Sequence, residues 1–121
     1  MIRLPKLGQI VRKFSRSVKI IRPMGAYDEH GRWQSHGEQS ALITAHIQTA
    51  TDKELVNIDE GRRARGGIIV FTIDELRVAN VETGEQPDII PWQGSTFEVQ
   101  SVENWNEVAG FYRATATRMG Q

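Results

Sequence analysis

The feature that most constrains this chain is an alternation. Between Ser40 and Ala50, Ala41, Ile43, Ala45 and Ile47 share one parity, while Leu42, Thr44, His46 and Gln48 share the other. Successive side chains of a strand point to opposite faces, so the pattern predicts a half-buried β-strand. A second segment, Ile68-Ile-Val-Phe-Thr-Ile73, is apolar on both parities and rich in β-branched residues. That composition predicts a central strand covered on two sides. Shorter apolar runs surround these two. Val18 and Ile20 flank Lys19 before a break at Pro23-Met24-Gly25. Residues 88–92 and 96–102 sit on either side of Gln93-Gly94-Ser95, a spacing suited to a tight hairpin. Phe111 to Met119 carries Tyr112, Ala114 and Ala116 on one parity. Gly25 to Trp33 has aromatic residues around Asp28, Glu29, His30 and Gly31, which predicts a further hairpin.

About seven antiparallel strands, with turn signals every ~8 to 12 residues, predict a mainly all-β chain folded as a small β-barrel or sandwich. Pro91 has no N–H to give to a ladder, so its strand is expected at an edge or a bulge. Thr51 and Asp52 can cap one brief internal helix through Val56. Residues 59–67 (Asp-Glu-Gly-Arg-Arg-Ala-Arg-Gly-Gly), Asn80 to Pro87, and the stretch holding Trp105 and Gly110 read as loops.

The length of 121 residues suits one domain, expected over 17–121, preceded by a basic N-terminal arm, 1–16. In the arm, Leu4, Leu7, Ile10, Val11 and Phe14 recur at helical spacing, and Pro5 suits a first helical turn. Gly8 weakens this short helical arm, and isolated helices below ~12 to 15 residues are marginal. A partner surface is needed, either the chain's own sheet or a neighbouring subunit. For the latter, Leu4, Leu7, Val11, Arg12, Lys13, Phe14 and Arg16 are the candidate interface residues.

Charge separates the same two regions. Arg3, Lys6, Arg12, Lys13, Arg16, Lys19 and Arg22 precede the first acid, and the remaining residues hold 8 basic against 15 acidic groups. Such a split favours head-to-tail association, a polyanionic partner, or an arm lying on its own body.

The chain has no cysteine, which excludes disulfides, thiolate metal sites and cysteine nucleophiles. The run Ile68 to Phe71 falls far short of the ~20 residues of a membrane helix. The N-terminal residues lack the apolar stretch of a secretory signal. Gly61 to Gly67 lacks the Lys-Ser/Thr ending of a phosphate loop. His30 and His36 have no third ligand at a recognised metal spacing, and His46 lies on the polar parity of its strand. Asp74 and Glu75 are adjacent, hence poorly placed as a carboxylate pair, and are expected to serve solvation or helix capping. No catalytic, cofactor-binding or metal-binding residue is predicted. Arg62, Arg63 and Arg65 form a loop cluster able to meet phosphates. Trp33, Trp92 and Trp105 are expected to pack at turns or strand ends, with any exposed one a candidate subunit anchor.

One resemblance spans most residues from Val18 to Gly120. Asp88-Ile-Ile-x-Trp92-x-Gly94, Phe97-Glu-Val99, Val102-Glu-x-Trp105 and Tyr112-Arg-Ala114 resemble the head-closure, or head-tail joining, proteins of tailed bacteriophages. Gly25 to Trp33, Glu60-Gly-Arg-Arg63 and Glu75-Leu-Arg77 are similar too. The resemblance implies a non-enzymatic virion protein, made in the host cytoplasm, that forms a β-barrel homo-oligomeric ring of six- or twelvefold symmetry at the phage neck. Its implied partners are the portal or adaptor protein and the tail terminator or tail tube, with Arg62, Arg63 and Arg65 facing packaged DNA and no membrane contact. A tail-terminator or adaptor-like neck protein, or a small nucleic-acid-binding β-barrel, are the alternatives. The basic first 16 residues stand outside the family pattern.

Overall fold

The computed structural model describes residues 15–56 and 58–119, apart from the side chain of Arg63. Six strands are present among them: β1 (Arg16–Tyr27), β2 (Trp33–Thr49), β3 (Gly67–Thr72), β4 (Ile89–Trp92), β5 (Ser95–Trp105) and β6 (Phe111–Arg118). Two four-residue helices accompany them, α1 (Glu60–Arg63) and α2 (Asn106–Ala109). All pairings are antiparallel, in the order β1-β2-β3-β6-β5-β4, and β1 returns to β4 at the bridge Ile21↔Ile89. Followed around the sheet, the ladder leaves β2 at Ser40 and crosses Ile21, Ile89, Glu98, Thr117 and Gly67. It regains β2 at Ala50, whose N–H donates to the Gly67 carbonyl. This large stagger is what lets six strands curl until the sheet meets itself.

The two strongest strand signals of the sequence form the interior. Ile43 and Ala45 of β2 are buried with Ile20 of β1, and Ala41 and Ile47 pack against the same cluster. In β3, Ile68 and Val70 face this core beside Ala114 and Ala116 of β6. Ile69, of opposite parity, is fully buried as well. Leu55, from the turn segment before α1, packs on the same strand: the side chain is 1% exposed, and its methyl lies 3.1 Å from where a Cβ on Gly67 would stand.

Several expectations are corrected. Pro23-Met24-Gly25 does not end a strand: β1 runs through it, with Pro23 paired to Glu38 and Gly25 to Ser35 across a register shift. Gly37, on the longer side of that bulge, has φ +88°, a backbone state that costs glycine little. What reads as separate short strands is therefore one long hairpin, leaving six described strands where about seven were expected. Residues 51–56 form hydrogen-bonded turns, and the helix falls at Glu60–Arg63 instead, where the Asp59 carboxylate accepts from the Arg62 N–H. The stretch after Trp105 holds α2, which ends at Gly110 with φ +79°. Pro91 lies beyond Ile89, where β4 meets β1, and is exposed.

Asp88 is fully buried just before β4. Its Oδ1 accepts from Arg22 Nε at 2.8 Å, and its Oδ2 accepts from Arg22 Nη2 at 2.9 Å and from the Arg77 N–H at 2.7 Å. The Arg22 guanidinium is held above its ordinary pKa chiefly by the hydrogen bond to Asp88, against the opposing effect of burial. Asp88→Ala is expected to cost about 3–5 kcal/mol in urea denaturation, because it strands a partly buried guanidinium. The double change Arg22→Met, Asp88→Leu should cost less than that single one.

Candidate functional site

Arginine is gathered at one end of the closed sheet. Arg62 in α1 donates from Nη1 to Gln100 Oε1 at 2.6 Å, and its Nε lies 3.4 Å from Asp59. Gln100 sits where the β5–β6 register shifts, and its amide donates to Thr117 Oγ1 at 3.0 Å. Arg62 is thus folded onto the β5–β6 surface. Arg65 stands exposed after the helix. Arg118 of β6, also exposed, is tied into place when its N–H donates to the Gly66 carbonyl at 3.0 Å.

Arg65 and Arg118 line two adjoining recesses. One, of 170 Å³, also has Arg62, Glu98 and Gln100 in its wall. The other, of 220 Å³, opens over Ile68, Trp92 and Phe97. Arg62 and Arg65 therefore meet a third cation, Arg118, which sequence reasoning missed. Its signal was present only as register, because Thr117 pairs with Gly67 and so brings the end of β6 beside the arginine loop. The Arg63 side chain lies outside the described residues, as do the proposed arm residues Leu4, Leu7, Val11, Arg12, Lys13 and Phe14. Arg16 belongs to β1, paired with Ala45.

A second feature is the ribbon formed where β1 and β2 outrun the rest of the sheet. β3 pairs with β2 from Ala45 to Thr49 and β4 touches β1 at Ile21, so Arg22–Tyr27 and Trp33–Gln39 pair with each other while their outer edges meet no described strand, and the outer edge of Ser40–Ile43, whose inner edge pairs with Val18–Ile21, meets none either. At Thr44 the N–H is met instead by Asp74 Oδ2 at 2.9 Å, so Asp74 stitches β2 to the β3–β4 connection, a role other than the solvation or capping expected of it. The ribbon is anchored by its aromatics. Trp33 Nε1 donates to the Gly84 carbonyl at 2.7 Å and the Tyr27 hydroxyl to the Val81 carbonyl at 3.0 Å. Trp92 is half-buried against Phe97, whereas Trp105 is 44% exposed.

Charge on the described residues departs from a simple arm-and-body split. Arg22, the last of the seven leading cations, is neutralised internally by Asp88, while Arg16 and Lys19 are exposed on β1. Among the described residues no three His, Asp or Glu side chains gather into a metal-ligand set. His46 stacks on Phe71, and His30 and His36 are exposed. No protein-family model and no curated protein matches this chain.

At the ribbon tip, the Asp28 carboxylate accepts from the His30 and Arg32 N–H groups and the Gln34 amide. Its pKa is lowered, first by the Arg32 hydrogen bond. A depressed folded-state pKa means that the turn is fully supported above the ordinary carboxylate range and loses support as pH falls through the lowered value. In an NMR titration the amide signals of His30 and Arg32 should move together only as pH falls below the ordinary carboxylate range, and Asp28→Asn should abolish that step.

Proposed function

We propose that this chain is a structural subunit of a tailed-phage neck, a head-closure or head-tail joining protein whose small closed β-barrel assembles into a homo-oligomeric ring around DNA. The observation that carries this reading is the projecting ribbon. Unpaired strand edges are templates for pairing with another chain, and soluble proteins normally shorten, charge or cover them. Here residues 34–40 are continuously exposed, and Leu42 beside them is 73% exposed. An edge on one subunit that seats on a different surface of the next makes a heterologous contact, which closes into a ring when the rotation permits. The resemblance to head-closure proteins suggests the location. Of the residues that carry it, Trp92, Phe97, Val99, Tyr112 and Ala114 belong to the sheet, Asp88 stands just before β4, and Trp33 with Gly25 belongs to the ribbon.

The cluster of Arg62, Arg65 and Arg118 favours a duplex threaded past that end of the subunit. Exposed guanidinium groups release counterions from phosphates without reading sequence. The same cluster is what favours the second reading, a small nucleic-acid-binding barrel acting without a ring. Among the described residues no helix is long and apolar enough to cross a membrane.

Sedimentation of the full-length protein over a concentration series should reveal one closed oligomer, and Leu42→Glu should shift it to monomer while leaving the far-UV circular dichroism spectrum unchanged. A protein that stays monomeric at every concentration would favour the second reading. For the arginine cluster, Arg65→Ala with Arg118→Ala should weaken binding to duplexes of any sequence and reduce the slope of log affinity against log salt by about two.

A further inference from the structure

The outer surface of the sheet carries a row of rings. His46 of β2 stacks on Phe71 of β3 with centroids 6.3 Å apart, and Phe71 meets Phe111 of β6 edge-on at 5.9 Å. Phe111 is the ladder partner of Trp105 on β5. These residues have the parity opposite to the core-facing Ala45, Val70, Ala114 and Val102. The row therefore crosses four neighbouring strands, a width of ~14 Å at the usual strand spacing. Its first three rings are half-buried; Trp105, and Val108 in α2 at 59%, are exposed. Arg113 pairs with Glu54 and Glu103 at 3.1 Å along the same surface.

We propose that this row is the seat of the chain's own N-terminal segment, residues 1–14, docked as a short amphipathic helix. Three observations select that occupant. The first is where the segment joins the body: Arg16 pairs with Ala45, the residue beside His46, so the chain enters β1 at one end of the row. The second is length: from Leu4 to Phe14 an α-helix rises ~15 Å, which matches the width of the row. The third is chemistry. Leu4, Leu7, Val11 and Phe14 make one apolar stripe, and the segment carries Arg3, Lys6, Arg12 and Lys13 with no acid, opposite a surface where carboxylates outnumber the one arginine. Attachment a few residues away gives the segment a high effective concentration at this surface, which favours its own body over a second copy. Phe14 then covers His46 and Phe71, while Leu4 reaches Trp105. Seating the segment here leaves the ribbon edges open to other subunits, so the inference does not depend on the neck reading.

The chain has no cysteine, so a single Arg3→Cys substitution in the full-length protein accepts one nitroxide label. The expected result is loss of the Trp105 indole and Phe111 amide NMR signals in the labelled, isotope-enriched protein, with recovery when the nitroxide is reduced. In an equal mixture of enriched unlabelled protein and unenriched nitroxide-labelled protein the same signals should keep full intensity. Leu7→Asp with Val11→Asp in the labelled chain should restore the signals while leaving the Ile68 and Val70 amides unshifted. Loss confined to the mixture would assign the seat to a second copy, and full intensity in every sample would leave the row without this occupant. Either result overturns the proposal, as does loss that survives the double substitution.

Discussion

Closure of the sheet depends on one side-chain interaction more than on any ladder. Among the described residues β1 and β4 share a single bridge, Ile21↔Ile89, so backbone pairing alone holds that seam weakly. Asp88 compensates from one position. Its carboxylate grips Arg22 of β1 with two hydrogen bonds and accepts the Arg77 N–H, while its backbone bonds Arg77 on one side and Val99 of β5 on the other. Three chain segments thus converge on one residue, two of them on its buried carboxylate. Burying a charge is costly unless it is paired and its lone pairs are filled, and both conditions hold here. Fixing Arg77 also fixes its neighbours Leu76 and Val78, which pack into the core from the β3–β4 connection.

The seam has consequences at both ends of the molecule. Towards the ribbon, β1 continues past Arg22 with no further partner than β2, which is why the hairpin can project and why it needs Trp33 and Tyr27 to pin it on the 80–85 turn. Gly84 must lack a side chain there, since a Cβ would come within 2.9 Å of the Tyr27 ring and the backbone has φ +78°. Towards the other end, Pro91 and Trp92 extend past the bridge, and the recess over Trp92, Phe97 and Ile68 opens beneath Arg65 and Arg118. Polar and aromatic surfaces are therefore distributed by how far each strand outruns its neighbours.

How much of this was legible in the sequence follows from the range of each interaction. The alternation Ala41 to Ile47 and the run from Ile68 were readable because strand parity is local, and the turns at Asp28–Arg32 and Gln93–Gly94 were readable from their residues. The break at Pro23–Gly25 misled because a bulge absorbs in the partner strand what reads as a stop in its own. The helix was misplaced because Thr51 and Asp59 are both competent caps, and Leu55, which follows Thr51, is instead held in turns against Gly67. The Arg22–Asp88 pair spans 66 residues and leaves no periodic trace. Arg22 could be counted as an arm cation by charge alone, and Arg118 joined the arginine cluster only through register. The functional proposal rests on a resemblance to head-closure proteins, because no local pattern carries a function.

In the proposed account a closed sheet offers a ribbon to a neighbour and arginines to a polyanion, and the neck reading is what places both in one particle. The most direct test of that reading, which supposes a tailed phage as the source of the gene, is electron microscopy of that phage's lysates with a stop codon at Gln9. The account predicts DNA-filled or leaking heads alongside separate, complete tails, restored to joined virions by the protein supplied in trans. Normally joined, infectious virions from the stop mutant would contradict it.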